Sequence, residues 1–122
     1  MKPERLCFVT LPVEDLEAAV AFYTGPLGFA VSRRYPAARW VSLDIDETAG
    51  GGLGLIESPE AGAAGVRLDL FVRDLDAYWR RLDGRVTAEH GPRRMPWGSY
   101  KAVIHDPFGH HIGFVQMPEE AA

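Results

Sequence analysis

The chain aligns with itself at a shift of 59 residues. Leu11, Val13, Asp15, Leu16 and Ala18 fall on Leu70, Val72, Asp74, Leu75 and Ala77. Farther along, Gly25 meets Gly84, Arg34 meets Arg93, Ile45 meets Ile104, Gly50 meets Gly109 and Gly54 meets Gly113. Without a gap the overlap holds about a dozen identities, where chance gives roughly four. Each copy runs from apolar alternation through an Asp-Leu helix start into glycine-punctuated strands. One unit is thus written twice, and a site is expected where the two copies face each other.

With 122 residues the length predicts a single domain over 1–122, built from a module at 5–58, a linker at 59–65 and a second module at 66–118. A copy of about 60 residues is marginal alone, so the copies are expected to share a core or to pair with a second chain. The charge of −4 and the lack of a basic stripe argue against a nucleic-acid partner. Cys7 is the single cysteine, which rules out a disulfide within the chain and suits a reducing compartment; it reads as a small buried hydrophobe. Met1-Lys2-Pro3-Glu4-Arg5 runs into a strand with no secretory pattern, and no apolar stretch nears the ~18 residues of a membrane span. A cytoplasmic protein without a membrane partner is expected.

Alternation predicts a strand over 6–13, followed by Asp15 at a helix cap. Leu16, Ala19, Val20 and Tyr23 recur at helical spacing, and Gly25-Pro26 ends the run. Strands are expected near 29–34, 39–46 and 52–57, separated by Tyr35-Pro36-Ala37 and by Ala49 to Gly52. The second copy gives a strand over 66–72, a helix over 74–82 and strands near 85–90, 99–105 and 111–116. Leu75, Tyr78, Trp79 and Leu82 share that helix's core face. Each copy therefore reads β-α-β-β-β, an α+β fold.

Three stretches carry a resemblance. Phe8 to Leu16 leads into Ala21-Phe22-Tyr23 and Leu27-Gly28-Phe29; Arg67 to Leu75 repeats it; Pro96-Trp97-Gly98-Ser99-Tyr100 precedes Asp106-Pro107-Phe108-Gly109-His110-His111-Ile112. Nearly the whole chain resembles the vicinal oxygen chelate superfamily, which holds glyoxalase I, extradiol dioxygenases, fosfomycin-modifying enzymes and bleomycin-resistance proteins. The resemblance implies two tandem βαβββ modules forming a cup-shaped, mostly antiparallel sheet, completed by dimerisation. It also implies where a metal would be held. Metal-dependent members place a His or Gln seven residues before each Asp-Leu and a Glu in each last strand. Those positions here are Phe8, Arg67, Gly54 and Gly113. None offers a usable donor, since phenylalanine and glycine have no ligating side-chain atom and a guanidinium stays charged. No metal and no cofactor is expected.

The histidines do not obviously rebuild such a site. His110 and His111 are adjacent and point to opposite faces of a strand, and His90 precedes Gly91-Pro92 in a predicted loop. His105 is the best remaining candidate, sharing a face with Lys101 and Val103. If Phe8 and Arg67 face the cup, so do Thr10, Asp69 and Phe71, while Leu68, Leu70 and Val72 pack on the helix. Val41, Leu43 and Ile45 take the core face of their strand and leave Trp40, Ser42, Asp44 and Asp46 for the cup. The candidate ligand-binding set is therefore Phe8, Thr10, Trp40, Ser42, Asp44, Arg67, Asp69, Phe71, Trp97, Lys101, Val103 and His105. Trp40 and Trp97 offer stacking faces, Asp44 and Asp69 can pair with an amine, and Arg67 can hold Asp69 or read a carboxylate.

The Pro-Trp-Gly before an Asp-Pro-x-Gly turn is similar to the bleomycin-resistance branch. That branch lacks the metal ligands and binds a cationic, aromatic antibiotic between two protomers without chemistry. The expected function is metal-independent small-molecule binding by a homodimer, with no catalytic residue. The alternatives are a glyoxalase-like lyase or a dioxygenase with displaced ligands such as His105, Asp44, Asp69 or Glu89, and a metal-free enzyme with His105 or Asp69 as base.

Overall fold

Two aspartates at equivalent places start two helices in the same way. Asp15 and Asp74 are extended N-caps whose carboxylates accept the N–H of Ala18 and Ala77, satisfying a donor the helix cannot. In the computed structural model, which describes residues 1–3, 8–45, 52–59 and 65–117, the chain divides into two compact units, 1–64 and 65–122. The first contains β1 (Phe8–Val13), α1 (Leu16–Thr24), β2 (Ala30–Tyr35), β3 (Trp40–Asp44) and β4 (Gly52–Glu57). The second contains β5 (Arg67–Val72), α2 (Leu75–Leu82), β6 (Thr87–Arg94), β7 (Tyr100–His105) and β8 (His111–Gln116). Both are βαβββ units of an α+β fold. Cys7, Asp46 and the linker residues 60–64 lie outside the described residues.

The sheets run β1-β4-β3-β2 and β5-β8-β7-β6, with the first and last strand of each copy paired in parallel and the other pairs antiparallel. Each helix is tied to its own last strand. The Glu57 carboxylate accepts the Leu16 N–H at 3.1 Å, and the Gln116 amide oxygen accepts the Leu75 N–H at 2.9 Å. The pair is repeat-related and chemically equivalent as an acceptor, although the residues differ.

The gapless register holds for β1, β4 and the helix starts but fails in the middle strands. Gly54 faces Ser42 across the ladder, whereas Gly113 faces Val103 rather than Lys101. Trp40 therefore corresponds to Lys101, and the Arg34/Arg93 and Ile45/Ile104 matches are not structural equivalents. The cause is turn length: residues 45–51 separate β3 from β4, while 106–110 make a tighter turn before β8. In that turn the buried Asp106 carboxylate accepts the N–H groups of Phe108 and His110 at 2.9 and 2.8 Å. His110, 1% exposed, accepts the Val66 N–H at its Nδ1.

A second correction concerns β6, expected near 85–90. It continues to Arg94, so His90, Gly91 and Pro92 are strand rather than loop. Two register shifts accommodate them, and Pro92 is tolerated because β6 is an edge strand.

Core packing follows the alternation. Leu11, Val13, Val41, Leu43, Leu53 and Leu55 are buried in the first unit, and Ala102, Ile104, Ile112 and Phe114 in the second. Tyr78 of α2 lies on Phe114 with ring centroids 4.9 Å apart. Burial pushes the Tyr78 phenol up to about 12. The folded state then keeps a proton that the unfolded chain, with a phenol near 10, gives up. Stability present below pH about 10 is therefore expected to fall away as pH rises through about 12, and Tyr78→Phe to remove that fall, as followed by circular dichroism across the alkaline range.

Candidate functional site

The sheet face away from each helix carries the predicted site residues other than Trp97, which lies in the turn between β6 and β7, and on each sheet it centres on one glycine. In the first unit Thr10 and Ser42 flank Gly54 across the two ladders. A Cβ added to Gly54 would lie 2.7 Å from the Thr10 hydroxyl and 2.8 Å from the Trp40 indole nitrogen. Trp40 is itself braced, edge-on to Phe8 at 5.4 Å and tilted against Tyr35 at 5.5 Å. Ser42 is buried and its hydroxyl meets that of Ser32 at 2.6 Å. Asp44 is half-buried at the end of β3.

In the second unit the equivalent glycine is Gly113, where a Cβ would overlap the Asp69 carboxylate and lie 2.9 Å from the Lys101 chain. Asp69 pairs with Lys101 at 2.8 Å, where the sequence suggested Arg67 as its holder. Lys101 is largely covered while the Asp69 carboxylate stays more than half exposed. The pair has one free side. Arg67 is exposed at the start of β5, and Val103 is buried beside Gly113.

The four positions inherited in the resemblance do not fit a cation. Two have the wrong chemistry, and at the other two a ligating side chain would need space already filled, by Trp40 with Thr10 and by Asp69 with Lys101.

Beside the Asp69–Lys101 pair lies an open pocket of about 610 Å³ lined by Phe71, Trp97 and Ser99 among others. Phe71 and Trp97 are 67% and 69% exposed, so their rings are surfaces offered to solvent rather than core. The Trp97 turn is fixed by the Met95 N–H to Ser99 carbonyl bond and by Arg94 donating to the Gly98 carbonyl. Gly98 has φ +101°, a conformation that favours glycine there. Aromatic walls with a few placed charges are the usual build of a small-molecule site.

At the far end of the same face, His105 and His111 are cross-strand neighbours, and Glu89 reaches them from β6. His110 and His111 have different partners, His110 the Val66 N–H and His111 the Glu89 carboxylate. His111 also finds a second imidazole, because the turn 106–110 places it opposite His105. That signal was present in the tight Asp-Pro-Phe-Gly turn. The bulge that brings Glu89 into reach carries no comparable mark.

The profile of the Glyoxalase/Bleomycin resistance protein/Dioxygenase superfamily matches residues 5–114. No curated protein matches the chain in sequence. Among solved structures, a bleomycin resistance determinant encoded on the transposon Tn5 is 24% identical, with a TM-score of 0.78 over 95% of this chain and 100% of that one. A lactoylglutathione lyase from Agrobacterium tumefaciens is 22% identical, with a TM-score of 0.74 over 95% and 96%. An integron cassette protein from the mobile metagenome of the Halifax Harbour sewage outfall is 27% identical, with a TM-score of 0.81 over 94% and 100%.

Proposed function

We propose a function from the family to which the chain belongs, the Glyoxalase/Bleomycin resistance protein/Dioxygenase superfamily. The protein is a small-molecule binding protein that takes an aromatic, cationic ligand in the pocket beside Asp69, without a metal at the inherited positions and without chemistry. One observation carries the reading: the space for ligating side chains at Gly54 and Gly113 is filled, while Phe71 and Trp97 stand exposed around a half-covered carboxylate. A planar ring stacks on Trp97 and Phe71, and its cationic group meets the free side of Asp69. The net charge of −4 favours such a ligand over an anionic one. Among the described residues, no helix is long and apolar enough to cross a membrane.

The ligand is bound by a homodimer, in line with the cleft between protomers that the resemblance implies. Bleomycin and a panel of aromatic cations, titrated in the presence of a chelator with tryptophan fluorescence as readout, test the reading. Saturable quenching is expected, lost in Trp97→Phe and weakened about tenfold in Asp69→Asn, with sedimentation giving twice the 13.5 kDa chain. If no compound perturbs the fluorescence, sequestration is wrong; a monomer would sink the shared cleft.

A further inference from the structure

Glu89, His105 and His111 place three ligating atoms within 4.8 Å of one another, the cluster of this kind found among the described residues. The Glu89 carboxylate lies 3.3 Å from His111 Nδ1 and 3.6 Å from His105 Nε2. Ligands bound about 2.0–2.1 Å from a tetrahedral zinc ion are separated by about 3.3 Å, so two of the three edges already have the spacing that a shared ion needs. The imidazole rings are 4.5 Å apart, and the third edge, between their ligating nitrogens, is within 4.8 Å. His111 Nδ1 is buried and makes no hydrogen bond, although the Glu89 carboxylate lies 3.3 Å away. A buried ring nitrogen without a hydrogen bond calls for a partner, and a bound metal ion is one that also suits the neighbouring carboxylate and imidazole.

The fold does not demand these residues. Glu89 is the extra residue of the bulge between Ala88 and His90, and the first unit has the same bulge between Val31 and Arg33 with Ser32 in that place. The pair His105–His111 at the strand ends corresponds to Asp44–Gly52. Ser32, Asp44 and Gly52 complete the same strand geometry with no imidazole among them. The second unit thus departs from its own copy at three positions at once, and all three converge.

We propose that Glu89, His105 and His111 bind one divalent transition-metal ion of the zinc, cobalt and nickel class, with a fourth position left to solvent. Two imidazoles and a carboxylate suit such ions and not magnesium, which prefers an all-oxygen shell. The site is separate from the four inherited positions. It lies four residues along β7 from Lys101, about 13 Å, so it is distinct from the ligand pocket and does not depend on the reading of that pocket.

Cobalt(II) alone, titrated into the metal-stripped full chain at neutral pH, tests the proposal through its visible absorption, with zinc(II) as competitor. One equivalent is expected, with an affinity that falls at least 100-fold in His105→Gln and in His111→Gln and at least tenfold in Glu89→Gln. Zinc, but not magnesium, should raise the Tm of the parent chain and not of Glu89→Gln. Glu89 is exposed, so that variant keeps the test meaningful if a histidine variant fails to fold. Absence of binding below millimolar cobalt overturns the proposal. So does binding that any of the three substitutions leaves intact. The fluorescence titration is run in chelator and this one without an organic ligand, so each can fail alone.

Discussion

Gly54→Glu is expected to lower the unfolding free energy by about 3 kcal/mol or more, and to create no cation site. The first atom of the new side chain would already meet Thr10 at 2.7 Å and the Trp40 ring at 2.8 and 2.9 Å. An indole in contact with both Phe8 and Tyr35 cannot step aside without disturbing that packing. Overpacking alone costs about 1–3 kcal/mol, and burying a carboxylate among aromatic rings adds more. Gly113→Glu makes the natural comparison, because the neighbours there are the mobile ends of Asp69 and Lys101. Its cost is expected to be smaller, about 1–2 kcal/mol, since Lys101 can turn toward either carboxylate. Urea unfolding of the two variants measures the difference. Equal costs would mean that Trp40 is not the obstacle.

Phe114→Ala is expected to cost about 3–5 kcal/mol, the range for a buried phenylalanine whose site cannot collapse. Phe114 is fully buried, and the Tyr78 ring rests on it. Removing it opens a void that water can reach from the Tyr78 side. The same variant should therefore bring the Tyr78 phenol down from about 12 toward its ordinary value. Denaturant midpoints read the first effect, and absorbance of the ionised phenol in an alkaline titration reads the second. A large loss of stability with an unchanged phenol would show that Tyr78 is buried by something other than Phe114.

Those aromatic positions also show why the repeat was legible in outline and blurred in detail. Leu55 and Phe114 are equivalent, as are Ala19 and Tyr78, and Tyr23 and Leu82. Bulk moves between helix and sheet from one copy to the other, so the packing is kept while residue identity is lost. The capping aspartates survive as identities because few side chains can accept those N–H groups. Glu57 and Gln116 do the same work with different residues, and identity alone passes over them. The middle strands misled the alignment because turn length is a property of the loop, and a gapless shift cannot express it. Alternation nevertheless placed Trp40, Asp69, Lys101 and His105 on the intended faces. What it could not give was partnership: that Lys101 rather than Arg67 holds Asp69, and that a bulge delivers Glu89 to His105 and His111.

The parallel pairing of first and last strands sets the order in which the chain can organise during synthesis. Phe8 pairs with Gly52 and Val13 with Glu57, so the first sheet has all its strands once residue 57 has left the ribosome. The second sheet repeats the arrangement, Arg67 with His111 and Val72 with Gln116, and cannot close before residue 116 is made. Each closure spans most of its own copy, a slow, long-range event. Through most of the second copy's synthesis, the nascent chain therefore carries one sheet able to close and one still missing its central partner strand.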